Sequence, residues 1–252
     1  MSSLLEVRDV SMHYGGHYVV DHVSFNVERG ESVGLVGSNG AGKTSLFRLI
    51  SGETPLKSGE ILFEGSRLPF RADARARRGI GRTFQLVELF GGLTVLDHLL
   101  VSLQAHDGRQ GPIRDLVRGG VTLPAERNRC DEVLELCSLT AVRDAPATTL
   151  SLGQRRAVEL ARALVARPRL LLADEPSSGL DLDESMRLVE VIQRVRRETS
   201  LAVVLIDHDL ATIEAASERV IAMDAGKIIA EGTYAEVVRN PQVVTSWLGL
   251  LA

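Results

Sequence analysis

"ESVGLVGSNGAGKTSLFRLISG", residues 31–52, decides the fold. The apolar, strand-like "ESVGLVG" runs straight into a glycine-rich loop. "SLFRLISG" then places apolar residues at helical spacing, so the predicted order is strand, loop, helix. Residues 37–44, "GSNGAGKT", satisfy every fixed position of the pattern G-x-x-x-x-G-K-[ST]. That pattern has a mechanism. Gly37, Gly40 and Gly42 let the backbone around Ser38, Asn39 and Ala41 wrap a phosphate with its N–H groups turned inward; Lys43 reaches the β and γ phosphates, and the Thr44 hydroxyl can ligate Mg²⁺. Ser45 completes the candidate nucleotide-binding run. A chance glycine-rich turn would not need the strand before and the helix after.

Working outward, the 252 residues suffice for one large α/β domain or two small ones around a substantial core. With 44% hydrophobic and 25% charged residues the composition is that of an ordinary globular protein. A net charge of -4 gives no reason to expect a nucleic-acid partner, since such binders carry a basic excess. No apolar run approaches the roughly 18 to 20 residues that span a bilayer. The start "MSSLLEVRDV" has no signal-peptide pattern, so the chain is expected in the cytoplasm. The two cysteines, Cys130 and Cys137, would sit about 10 Å apart along a helix, which predicts two reduced structural thiols.

Upstream of the loop, "LLEVRDVSMHY" and "HYVVDHVSFNV" read as paired strands broken at Gly15-Gly16, and "GEILFEG" resumes strand character after it. The segment from Leu86 onward turns helical, with "LTVLDHLLVSLQAH" and "AERNRCDEVLELCSL" separated by the Gly-rich, Pro-bounded "DGRQGPIRDLVRGGVTLP", read as a mobile surface element. "RLLLADEP" and "LAVVLIDHD" are short apolar runs followed by helical sequence, the pattern of buried parallel strands. "VIAMDAGKIIAEGT" reads as a hairpin, and "YAEVVRNPQVVTSWLG" as one or two short helices. Between Arg67 and Arg82, Arg71, Arg75 and Arg78 fall at helical spacing opposite Ala72, Ala76 and Ile80, which predicts an amphipathic helix with a solvated basic face.

Four further features bear on chemistry. Asp174 and Glu175 end an apolar strand, where adjacent side chains point to opposite faces. An Asp there can hold the shell of Mg²⁺, and a Glu one residue on can orient or deprotonate a water; an acidic helix cap is the alternative, which the nearby phosphate loop disfavours. His208 ends another strand, where it is either structural or a hydrogen-bond donor to a γ-phosphate. Gln85, in "GRTFQ", could meet both Mg²⁺ and the helical insertion. "TLSLGQRRAVELARAL", residues 149–164, offers a second anion site at a helix start through Ser151, Gly153 and Gln154, although serine also simply caps helices.

In this order and spacing the motifs resemble the ATP-binding subunit of an ABC transporter, and the resemblance covers essentially the whole chain. It implies an α/β P-loop NTPase with a RecA-like core, an N-terminal antiparallel β subdomain and a helical signature subdomain. The expected boundaries are 1–85 and 158–240 for the β subdomain and core, 86–157 for the helical part and 241–252 for a C-terminal helix. By the same resemblance Tyr14 stacks on adenine with Val20 beside it, residues 37–44 are the Walker A loop, and Gln85 is the Q-loop glutamine. "LSLGQ" is the signature motif, Asp174 and Glu175 are the Walker B pair, "SSGLD" is the D-loop ending at Asp181, and His208 is the switch histidine. ATP and Mg²⁺ are the implied cofactors. In this family two such domains pair head to tail, and the signature of one covers the γ-phosphate held on the other, which explains why one chain carries two phosphate-binding helix starts. One position departs from the pattern: Leu152 stands where glycine is common.

Within the family, "YGGHYVVDHVSF", "RTFQLVELFGGLTVLDHLLV" and "NPQVVTSWLG" resemble the ATPases of branched-chain amino-acid importers, with Trp247 in place of the usual tyrosine. "ARARRGIG" and the closing segment also resemble the lipopolysaccharide-export ATPase; "RTFQ" favours the importer. The resemblance implies as partners a second ATPase subunit, transmembrane permease subunits contacted around the Q-loop at residues 86–93, and a substrate-binding protein. It places the chain on the inner face of the membrane through its permease. A soluble ABC switch acting on ribosomes or DNA usually carries two ATPase domains or a long coiled coil, and this sequence has neither. A GTPase or small-molecule kinase would explain the phosphate loop but not "LSLGQ" or His208, and no N-K-x-D motif is present.

Overall fold

In the computed structural model, which describes residues 3–83, 89–108 and 123–246, the stretch 31–52 forms strand β3 (Ser32–Val36), a loop, and helix α1 (Lys43–Ser51). Before it, β1 (Leu5–Tyr14) and β2 (His17–Val27) pair antiparallel; β4 (Ser58–Phe63) and β5 (Ser66–Arg67) extend that sheet in the order β2-β1-β4-β5. A six-stranded sheet adds β6 (Ile80–Arg82), β7 (Leu170–Asp174), β8 (Ala202–Ile206), β9 (Arg219–Asp224) and β10 (Lys227–Gly232), in the order β10-β9-β3-β8-β7-β6. Strands β3, β6, β7, β8 and β9 run parallel, and β10 returns as the expected hairpin.

Every residue of β3, β7 and β8 is buried, which is why these strands read as unbroken apolar runs. Alternate residues serve two cores. Val33, Leu35, Leu170, Leu172, Val204 and Ile206 face α1 and the antiparallel sheet, while Leu171, Ala173, Val203 and Leu205 face the helices on the other side. The helical side is built from α3 (Val95–His106), α4 (Pro124–Leu136), α5 (Leu152–Leu164) and α6 (Leu182–Thr199). Short helices α7 (Leu210–Ala216), α8 (Tyr234–Arg239) and α9 (Pro241–Ser246) follow the last strands. The expected α/β architecture is therefore present, with its antiparallel sheet, parallel core and helical part. Cys130 and Cys137 are free and buried, and burial pushes both thiols up to about 12. Residues 109–122, read as a surface element, and 247–252 lie outside the described residues. Among those described, no helix is long and apolar enough to cross a membrane.

One expectation is corrected. The basic segment forms only a short helix, α2 (Ala72–Arg77), and Ile80 belongs to β6. Arg75 is not solvated. It is 4% exposed and donates to the carbonyls of Leu49 and Ile50 at the end of α1, and to that of Pro69. The physical reason is that the last carbonyls of a helix lack intrahelical donors, and a guanidinium can serve several at once. Replacing Arg75 with methionine keeps most of the volume and strands those acceptors. The variant is expected to lose about 2–4 kcal/mol in urea unfolding, with Arg75→Lys recovering only part.

Candidate active site

The parallel register brings the chemistry to one edge. Leu35 of β3 and Asp174 of β7 both pair with Ile206 of β8, so the phosphate loop, the two acids and His208 all leave the carboxyl ends of neighbouring strands. Gly37 has a φ of 148°, and a Cβ there would lie 2.2 Å from the Met223 carbonyl oxygen. Gly42 caps α1 at a φ of 102°, where a Cβ would meet the Val19 carbonyl oxygen at 2.3 Å. Both positions require glycine. Asn39 and Gly40 are exposed at the loop tip, and Thr44 and Ser45 are half-buried on the first turn of α1.

Lys43 is buried, and its Nζ donates to the carbonyl oxygens of Gly37 at 2.7 Å and Ser38 at 3.0 Å. The ammonium thus folds back into the hollow of the loop. Burial pulls its pKa down, opposed by the charges of Glu175 and Asp174. A phosphate offers this cation better acceptors than two neutral carbonyls.

Asp174 is 2% exposed. Two consecutive residues after β6 and at its end hold it: the Asp174 N–H donates to Thr83 Oγ1 at 3.2 Å, and Arg82 donates to Asp174 Oδ2 at 2.8 Å. Burial raises the carboxyl pKa, and Arg82 opposes that rise. Asp174 Oδ1 is buried without a hydrogen-bond partner. An orphaned carboxylate oxygen and the hydroxyl of Thr44, which follows the phosphate-loop lysine, are oxygen donors of the kind a hard divalent cation takes, so the residues present fit Mg²⁺.

Glu175 leaves the strand at a φ of 49°, with its N–H donating to the Ile206 carbonyl oxygen at 2.8 Å. For a non-glycine residue that conformation costs of order 1–3 kcal/mol. It separates the two acids, turning Glu175 toward β8, where its Oε1 lies 2.9 Å from His208 Nε2. The carboxylate is largely buried and the imidazole half-exposed. Next to them, Asp207 accepts from the Ser177 hydroxyl at 2.6 Å, fastening the turn after Glu175 to the turn carrying His208.

The second anion-binding candidate lies at the start of α5. Ser151 caps it, accepting from the Gln154 N–H, while the Gln154 side chain accepts from the Ser151 N–H. The capping that sequence allowed is thus what an isolated chain does with these groups. Asp181 likewise caps α6 by accepting from the Glu184 N–H at 2.8 Å. Leu152 and Leu182, the residues just inside the two caps, are exposed.

Val20 is buried on β2, opposite Met12 of β1. Tyr14 ends β1 opposite His17. Gln85 lies outside the described residues. Arg82, which touches Asp174, was given no role by the sequence; this partner is 92 residues away, and no local pattern announces it.

A family model for ABC transporters matches residues 20–178, and one for branched-chain amino acid ATP-binding cassette transporters matches residues 227–249. The chain belongs to the ABC transporter family. The branched-chain amino acid transport ATP-binding protein BraF of Pseudomonas aeruginosa is 33% identical, with 98% of each chain covered. The lipopolysaccharide export ATP-binding protein LptB of Escherichia coli is 36% identical, with 97% of each covered. The ADP conformation of MJ1267, an ATP-binding cassette of an ABC transporter, superposes with a TM-score of 0.88 at 25% identity, covering 99% of this chain and all of that one. The chain is accordingly an ATP-binding ATPase subunit with the P-loop NTPase fold. Gly37→Ala should drive the loop into Met223; at least a tenfold loss of ATP affinity is expected by calorimetry, alongside a lowered melting temperature.

Proposed function

We propose that this cassette hydrolyses ATP with Mg²⁺ in a head-to-tail pair of ATPase subunits and drives import of branched-chain or other hydrophobic amino acids through separate permease subunits. The observation that carries the catalytic part is the Glu175–His208 contact at the strand edge that also bears Lys43 and Asp174. Lys43 exchanges the Gly37 and Ser38 carbonyls for the β and γ phosphates. Gly37, Ser38, Asn39, Gly40, Ala41 and Gly42 wrap those phosphates, Ser45 extends the cradle, and Tyr14 stacks on adenine. Thr44, Asp174 and Gln85 hold Mg²⁺, which supplies charge neutralisation on the phosphate oxygens. Glu175 accepts a proton from the attacking water, and His208 fixes its carboxylate and donates toward the γ-phosphate.

Exposed Leu152 and Leu182 directly follow the caps Ser151 and Asp181. Apolar residues beside solvent-facing helix starts suit a subunit contact, and we assign Ser151, Gly153, Gln154 and Asp181 to the partner subunit's nucleotide. ATP then becomes part of the interface, so its binding favours the closed pair and its hydrolysis releases it.

We divide the chain into residues 1–85 and 158–240 as β subdomain and core, 86–157 as helical subdomain and 241–252 as C-terminal helix. A groove of roughly 410 Å³ between α2, β6, α3 and α5, lined by Glu53, Ala76, Arg82, Ala105 and Arg162 among others, receives the permease. Phe90 is half-exposed, and its N–H donates to Nε2 of buried His98. This docking holds the chain at the inner face of the membrane, and a substrate-binding protein delivers the cargo. The match of residues 227–249 supports the importer reading. The 36% identity to LptB favours a second one, a lipopolysaccharide-export type of ATPase.

Glu175→Gln should retain ATP binding, lose more than nine-tenths of turnover and accumulate an ATP-bound dimer in size-exclusion chromatography. Undiminished hydrolysis would remove Glu175 from its role. Co-purified permease subunits, assayed for ATPase stimulation by leucine and by lipopolysaccharide, separate the two transport readings.

A further inference from the structure

The Arg82 side chain is only 9% exposed and joins two carboxylates that belong to different parts of the site. One guanidinium nitrogen lies 2.8 Å from Asp174 Oδ2, and the other lies 2.7 Å from Glu53 Oε1. Ser51 Oγ stands 3.4 Å from that second nitrogen, and the guanidinium carbon lies 6.0 Å from the centre of the Phe47 ring. The end of α1 therefore frames the guanidinium, while Glu53 and Arg82 both line the groove beside β6. Of the two Asp174 carboxylate oxygens, Arg82 takes one and leaves the other without a partner.

We propose that Arg82 is a positioning residue for Mg²⁺: held by groove-lining Glu53, it fixes the Asp174 carboxylate so that Oδ1 alone is presented to the ion. This rests on the ATPase reading above, with Asp174 toward the metal. A planar guanidinium spans two carboxylates in fixed geometry, which an ammonium cannot do. Groups that orient a metal ligand from behind commonly change metal affinity by 10–100-fold. Because Glu53 faces the groove, a permease segment that competes for Glu53 reaches the metal ligand through one side chain.

The test is the affinity of the full chain for ATP with Mg²⁺ divided by its affinity in EDTA. Arg82→Met should lower that ratio about tenfold with the EDTA affinity unchanged. Arg82→Lys should fall between the two, and Glu53→Gln should lower the ratio with Arg82 present but not in the Arg82→Met background. An unchanged ratio in Arg82→Met overturns the proposal, as does a raised one, which would make the guanidinium a competitor of the ion. An equal Glu53→Gln effect in both backgrounds also overturns it. Should Arg82→Met fail to fold by its melting curve, Arg82→Lys decides alone, a lowered ratio supporting the proposal and an unchanged one overturning it. Asp174→Asn tests the underlying reading separately: a ratio that survives it shows that Asp174 does not serve the metal at all.

Discussion

The parallel hydrogen bonding of β3 to β8 and of β8 to β7 is the constraint on which the rest depends. It sets three carboxyl ends side by side, with the phosphate loop after β3, the acids after β7 and His208 after β8. Both faces of these strands are covered, so their register cannot slip without exposing an entire apolar set. The rigidity of the edge follows from that burial, and the reactive groups inherit it. Only beyond the strand ends, at Gly37 and Glu175, does the backbone take conformations that a strand would not allow.

Charge is arranged around this edge in a way that suits a phosphate anion and a divalent cation. Lys43 turns inward to carbonyls of its own loop, and Asp174 keeps one oxygen unpartnered although it is buried. Each is a group whose interactions in the isolated chain are poorer than those ATP and Mg²⁺ would provide. Binding then recovers what folding left incomplete, which gives a physical reason for affinity at this place rather than elsewhere on the surface.

The phosphate loop, the buried strands, the hairpin and the capped helices were legible in the sequence because each rests on residues close together in the chain. The adjacent acids were legible too, including the divergence of their side chains, although the left-handed turn at Glu175 that separates them was not. What escaped was long-range and electrostatic. Arg75 reads as one of several surface arginines until α1 is seen to end against it, and Arg82 acquires a role only through Glu53 and Asp174.

The central claim is that the active site is completed by a second chain, and complementation between two disabled subunits tests it most directly. A Lys43→Ala subunit lacks the cation of the phosphate loop, a Ser151→Arg subunit lacks a usable signature, and each alone should be inactive. If the site is shared, mixing them creates one intact site, from the phosphate loop of the Ser151→Arg chain and the signature of the Lys43→Ala chain, and ATP turnover returns on mixing. A mixture as inactive as its components, with mixed dimers demonstrated, would contradict the account.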